Sequence, residues 1–169
     1  LFERTIEFLT SQHYRHYEVS NFARLAANGR SPWISRHNCK YWSFAPYIGL
    51  GPSAHSYLEP ERRWNHPRLE DYLRSIRSGN LPIAETETLT REQMIMEALY
   101  LGFRTTAGID LGVFKKRFGI DFWKVYQKTI SELQNRGLIA ISETRCALTS
   151  KGMALLDSIT AEFTNQEIS

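Results

Sequence analysis

Between Ser35 and Tyr57 the chain carries two histidines, three tyrosines, a tryptophan, two prolines and a Gly-Leu-Gly turn. Those residue types suit a wall against a flat, conjugated ligand. Aromatic rings supply apolar area at a small rotamer cost, and an imidazole supplies a metal ligand or a proton. In His37-Asn38-x-x-Tyr41-Trp42 one imidazole stands just ahead of two large rings. A neutral imidazole is a good axial ligand to haem iron, and Asn38 could orient that ring or cap a turn. A buried strand with aromatic flanks and a hydrogen-bonded structural histidine would use the same residues. His55 poses the same choice. Gly49 and Gly51 flank one residue and allow close backbone approach of a ligand. Glu18-x-Ser20-Asn21 either lines a site at the carboxyl end of a barrel strand or ends a strand in turn formers.

These residues need elements to hold them. Apolar positions in 1–12 recur at roughly helical spacing, and Tyr14 to Ser20 alternates as a short strand. Helix then strand is the αβ half of a βα repeat. A loop is expected from Asn21 to Ile34, and a short apolar strand at Tyr47–Gly51. Two such strands cannot close a sheet, so the remaining layer is expected upstream, and a start at Leu1 inside a helix reads as a piece of a longer polypeptide. A polar segment, 59–66, precedes a helix with Leu69, Tyr72, Leu73 and Ile76 on one face, stopped by Gly79-Asn80. Pro82 to Thr88 reads as a linker.

From Leu89 the pattern changes. Thr90 and Gln93 form a capping box ahead of a helix faced by Met94, Ile95, Ala98, Leu99 and Leu101. After a break at Gly108 come helices at 111–118 and 122–136, the second ended by Gly137. Two short strands, 138–141 and 145–148, form a hairpin, and 151–163 a closing helix. Three helices, a hairpin and a helix is the winged-helix order.

Composition sets outer bounds. With 42% hydrophobic and 23% charged residues the chain resembles soluble globular proteins. No apolar run approaches the ~20 residues of a membrane span, and no signal peptide is visible. The net charge of +3 is too mild to imply nucleic acid. The expected recognition helix offers Lys124, Lys128 and Arg136 with Gln127, Gln134 and Asn135, opposed by Asp121 and Glu132, which makes a thin phosphate-binding face. A module that packs against a larger enzyme accounts for it better. Cys39 and Cys146 are the two cysteines and lie far apart. Neither a disulfide framework nor a thiolate metal site is expected, and free thiols fit a reducing cytoplasm.

Four blocks carry a resemblance. Tyr17-Glu18-Val19-Ser20-Asn21-Phe22-Ala23, Ser35-Arg36-His37-Asn38-Cys39-Lys40-Tyr41-Trp42, Tyr47 to Ser56 and Arg63-Trp64-Asn65 stand in the order found in the oxygen-independent coproporphyrinogen III oxidase-like family of radical SAM proteins. Within it they resemble the haem-chaperone branch, HemW. The resemblance covers essentially the whole chain. It implies an α+β fold: residues 1–81 as the C-terminal end of a radical SAM β/α barrel, and 82–169 as a mostly helical, winged-helix-like domain of HemN type.

It also implies cofactors. The family binds a [4Fe-4S] cluster through CxxxCxxC, with S-adenosylmethionine on the open iron. That motif is absent here, so these residues alone should be inactive in radical chemistry. The HNxxYW segment, proposed in that branch to hold haem, is intact. It makes His37 the iron ligand, Tyr41 and Trp42 the ring-facing wall, and Asn38 part of the site. Gly49 and Gly51 match last-strand glycines near the S-adenosylmethionine end of the barrel. The loop from Arg24 to Ile34 is longer than the family's usual connection.

The implied function is haem binding and transfer to haem-accepting proteins in the cytoplasm. The alternative within the family is oxidative decarboxylation of coproporphyrinogen III in porphyrin biosynthesis, but the oxidase branch lacks HNxxYW. The alternative of another class is a winged-helix nucleic-acid or protein interaction module, with no nucleic acid expected on the thin basic face. Apolar edges at Tyr17, Val19, Ile48 and Leu50 are expected to make the chain self-associate.

Overall fold

Helix starts in this chain are marked by side chains that accept the first free amides. In the computed structural model, which describes residues 1–26 and 33–164, this holds at most of the helices. Two compact units are present, one built from Leu1–Ser43 with Met96–Ser169 and the other from Phe44–Ile95. The expected boundary at 81/82 does not coincide with either junction, because residues 1–43 fold with the C-terminal part of the chain.

The first unit opens with α1 (Phe2–Ser11), then β1 (Tyr14–Glu18) and β2 (Asn21–Arg24). These strands pair antiparallel, with a register shift between His16 and Glu18. The start of the expected loop is therefore a strand: Ser20 and Asn21 turn the chain, and Phe22 brings its ring to 4.6 Å from His16. Residues 27–32, most of the long loop, lie outside the described residues. The HNxxYW segment is helical: α2 (Arg36–Trp42) is capped by Ser35, whose Oγ accepts from Asn38 N at 3.3 Å.

The second unit is an antiparallel sheet with a helix. Strands β3 (His55–Leu58), β4 (Glu61–Asn65) and, after α3 (Leu69–Arg77), β5 (Ile83–Thr88) lie in the order β3-β4-β5. Two segments expected to be irregular, 59–66 and 82–88, thus pair with each other. Charged side chains complement across the strands, as with Arg62 and Glu87 at 3.7 Å, so the sheet needs little apolar alternation here. The expected strand at Tyr47–Gly51 is a single bridge between Tyr47 and Tyr57. Its side chains are mostly in solvent: Ile48 is 69% and Leu50 87% exposed.

The capping box forms as read, with Thr90 N donating to Gln93 Oε1 at 2.7 Å and Gln93 N to Thr90 Oγ1 at 3.2 Å. It starts α4 (Arg91–Phe103), which returns the chain to the first unit. There follow β6 (Ile109–Asp110), α5 (Leu111–Phe118), α6 (Phe122–Asn135), β7 (Ile139–Ile141), β8 (Arg145–Leu148), α7 (Ser150–Met153) and α8 (Leu156–Thr164). The closing helix is thus two helices. The hairpin gains a third strand, in the order β6-β8-β7. Asp110 and Asp121 cap α5 and α6 by accepting from Val113 N and Lys124 N at 3.0 and 3.3 Å. Rings fill the core: Phe122 lies 5.3 Å from Phe114, 4.8 Å from Tyr126 and 5.7 Å from Phe163, and Phe103 lies 5.0 Å from Phe163. Every described strand pair is antiparallel.

Candidate functional site

Helical geometry decides what the HNxxYW segment can do. On α2, residues four apart share a face, so His37 aligns with Tyr41 and Asn38 with Trp42. The His37 and Tyr41 rings meet edge to face, with centroids 4.9 Å apart and planes at 69°. Both side chains are exposed. Among the described residues, the His37 imidazole has no hydrogen-bond partner. A solvent-facing ring nitrogen beside a tyrosine ring is donor chemistry that fits an axial position on haem iron.

Trp42 stands apart from that pair. It is half-buried, its ring 6.0 Å from Tyr17 and its face 6.0 Å from the guanidinium carbon of Arg104. Tyr17 is itself only 8% exposed, so it is not the open edge expected of it. The structure therefore brings His37 and Tyr41 together and commits Trp42 to a separate cluster. Asn38 is half-buried, and its backbone amide serves the Ser35 cap.

Glu18, read as either site-lining or strand-ending, is wholly buried at 0% exposure. Its Oε1 accepts from Ser20 N at 2.8 Å and from the Asn21 amide, and its Oε2 pairs with Arg104 Nε at 2.8 Å. Arg104 also reaches a shallow cleft of about 260 Å³ beside Val19, Tyr100 and the α7–α8 junction. Nothing local in the sequence marks Arg104, since its partners Glu18 and Trp42 both lie far away along the chain.

Gly49 and Gly51 belong to the other unit. The close approach that Gly49 permits is to the chain's own backbone: a Cβ there would lie 2.1 Å from the His55 carbonyl oxygen. Gly51 has φ of +102°, a conformation that favours glycine. The Asn65 amide donates to Gly51 O at 2.9 Å, and Gly51 N donates to Tyr72 Oη at 3.3 Å. Asn65 and Tyr72 thus brace the turn. The exposed His55 ring stacks on Trp64 across β3 and β4, 5.7 Å away at 29°.

The donor set does not fit an iron–sulfur cluster. Among the described residues no three His, Cys, Asp or Glu side chains gather as a metal site. Cys39 is half-buried, and burial pushes the Cys146 thiol up to about 12, which keeps it protonated. On the expected recognition helix, Arg136 is spent on Glu162 through two contacts of 3.0 and 3.1 Å. The Lys115 ammonium, 2.9 Å from Asp121, and then the Lys124 amide hold that carboxyl below the usual range. Among the described residues, that leaves Lys124 and Lys128 of the three cations named for it. No helix among the described residues is long and apolar enough to cross a membrane.

Comparison with known proteins agrees with this architecture. Residues 89–155 match the HemN C-terminal domain. Over 168 residues the chain is 30% identical to the heme chaperone HemW of Lactococcus lactis subsp. lactis (strain IL1403), covering 99% of this chain and 42% of that protein. Over 163 residues it is 29% identical to the heme chaperone HemW of Bacillus subtilis (strain 168), covering 96% of this chain and 41% of that protein. The mitochondrial radical S-adenosyl methionine domain-containing protein 1 of Bos taurus is 28% identical over 157 residues, 86% of this chain and 34% of that one. The chain therefore spans about two-fifths or less of the length of these relatives. The solved coproporphyrinogen III oxidase HemN of Escherichia coli, a radical SAM enzyme, superposes with a TM-score of 0.66 at 19% identity, over 96% of this chain and 40% of that one. That likeness concerns the fold. Residues 89–155 thus carry the HemN C-terminal domain, and over nearly its whole length the chain is similar to proteins named heme chaperone HemW.

Proposed function

We propose that this chain is the C-terminal part of a radical SAM haem chaperone, with haem as the cargo and His37 as its iron ligand. The observation that carries the reading is the exposed His37–Tyr41 pair on α2, an imidazole without a hydrogen-bond partner among the described residues and with a ring beside it. Identity of about 30% to proteins named heme chaperone HemW supports it. In this reading Tyr41 stacks against the porphyrin edge, while Asn38 and Trp42 fix the helix that presents His37. Gly49 and Gly51 shape the last turn of a barrel whose other strands come from residues outside this chain. Residues 1–81 complete that barrel, and 82–169 form the winged-helix-like domain. The full-length protein holds the [4Fe-4S] cluster and S-adenosylmethionine, acts in the cytoplasm and hands haem to acceptor proteins. In the full-length protein the cluster and S-adenosylmethionine would supply the radical chemistry.

A haem titration followed by absorbance, on the protein and on His37→Ala, tests the reading. The expected result is a Soret band that saturates near one equivalent and shifts or disappears in His37→Ala, while far-ultraviolet circular dichroism is unchanged. Equal, unsaturable binding by both proteins would overturn it. Incubation of the full-length protein with coproporphyrinogen III is expected to yield no decarboxylated product, and formation of that product would instead support the oxidase.

A further inference from the structure

The residues that hold α2 in place are remote from it in sequence. Glu18 accepts on Oε1 from the Ser20 amide and the Asn21 side chain, and its Oε2, which accepts no hydrogen bond among the described residues, is ion-paired with Arg104 Nε at 2.8 Å. A buried carboxylate bound in this way has a single orientation. Arg104 is held in turn at two nitrogens, Nε by the Glu18 charge and Nη2 by Ser20 Oγ at 3.5 Å, which together orient its planar guanidinium. The fixed cation lies 6.0 Å from the centre of the Trp42 ring, within the reach at which an indole face attracts it. The same ring meets Tyr17, whose Oη accepts from the backbone amide of Ser35, the α2 N-cap, at 3.4 Å.

Helix α2 has seven residues, none of them buried, and a helix that short has little stability of its own. Its two ends are therefore held from one cluster, Ser35 through Tyr17 and Trp42 through Arg104. The side-chain pair is not needed to register the main chain there. Backbone bonds already join β1 to the end of α4, from Val19 N to Arg104 O at 3.0 Å and from Thr106 N to Tyr17 O at 3.1 Å.

We infer that Glu18 and Arg104 are positioning residues for His37: the ion pair fixes Trp42, Trp42 fixes the rotation of α2 about its axis, and that rotation sets where the His37 and Tyr41 rings point. The description of His37 as a ligand rests on the haem-chaperone reading. The positioning of α2 does not.

The test has two parts. In the haem-free protein, hydrogen exchange by mass spectrometry is compared between wild type and Arg104→Met. Amides of 36–42 are expected to exchange about tenfold faster in the variant, with those of α6 unchanged. Unchanged exchange in 36–42 would overturn the inference, and so would an equal rise throughout a folded protein. If Arg104→Met does not fold because Glu18 is left unpaired, Glu18→Gln with Arg104→Met removes both charges and carries the same expectation. In the second part, haem affinity is measured for Arg104→Met, His37→Ala and the double variant. Arg104→Met is expected to weaken binding about tenfold when His37 is present and by less than about twofold when it is absent. Equal losses in both backgrounds would overturn action through His37. If His37→Ala alone leaves affinity unchanged, the haem reading fails, and the exchange result still decides the positioning.

Discussion

At the scale of single residues, the two cysteines show how burial separates like groups. Cys146 sits on β8 with no exposure, and loss of solvent pushes its thiol up to about 12. The unfolded chain releases that proton near the ordinary thiol value of ~8.5. Stability is therefore whole below that pH and declines above it, since the folded thiol stays neutral until about 12. Native alkylation at pH 8 is expected to give one adduct, on the half-buried Cys39, and denatured alkylation two. Two adducts on the native protein, counted by mass spectrometry, would contradict the burial argument. The sequence made His37, Asn38, Tyr41 and Trp42 visible as chemistry, but it did not say which would share a face. Only the helix settles that, because a period of 3.6 pairs His37 with Tyr41 and turns Trp42 toward Arg104. Arg104 itself was illegible: its meaning comes from a carboxylate and an indole that only folding brings near.

At the scale of elements, the helices from Leu89 to Gly137 and the strands β1, β7 and β8 were legible, and α2 and the strands of the second unit were not. The capping box at Thr90, the aspartate caps at Asp110 and Asp121 and the stop at Gly137 are local signals written within a few residues. Strands β3, β4 and β5 bury few side chains and are held by cross-strand polar pairs, so they lack the alternation that marks a half-buried strand. The pairing of Arg62 with Glu87 exists only once both strands are aligned. Glycines divide in a similar way. At Gly49 an added Cβ would meet the His55 carbonyl at 2.1 Å, so Gly49→Ala is expected to cost about 1–3 kcal/mol in urea unfolding. At Gly112, near the start of α5, the nearest atom is Asp110 Oδ1 at 3.5 Å, and Gly112→Ala is expected to be neutral or to stabilise by up to ~1 kcal/mol. The reverse order of the two effects would mean that the turn after Tyr47 is not packed as described.

At the scale of the whole molecule, apolar groups remain uncovered on the smaller unit. Ile48, Leu50 and Leu81 are each at least two-thirds exposed, and α3 has no buried residue. Surfaces of that kind seek a partner. The chain is expected to self-associate in sedimentation velocity at micromolar concentration, and Ile48→Ser with Leu50→Ser to shift it toward monomer. A strictly monomeric chain across that range would mean these groups are tolerated in water. The first unit joins two stretches of sequence separated by the entire second unit. During synthesis that order has a cost in time. Tyr17 waits for Thr106, 89 positions later, before its carbonyl finds its bonds, and Glu18 waits nearly as long for Arg104. At ~5–20 residues per second the β1–β2 hairpin spends roughly 5–20 s, and α2 roughly 3–12 s, without the segment that completes them. The helix carrying His37 is thus made well before the segment that holds its second end, and α2 is not fixed at both ends until translation has passed α4.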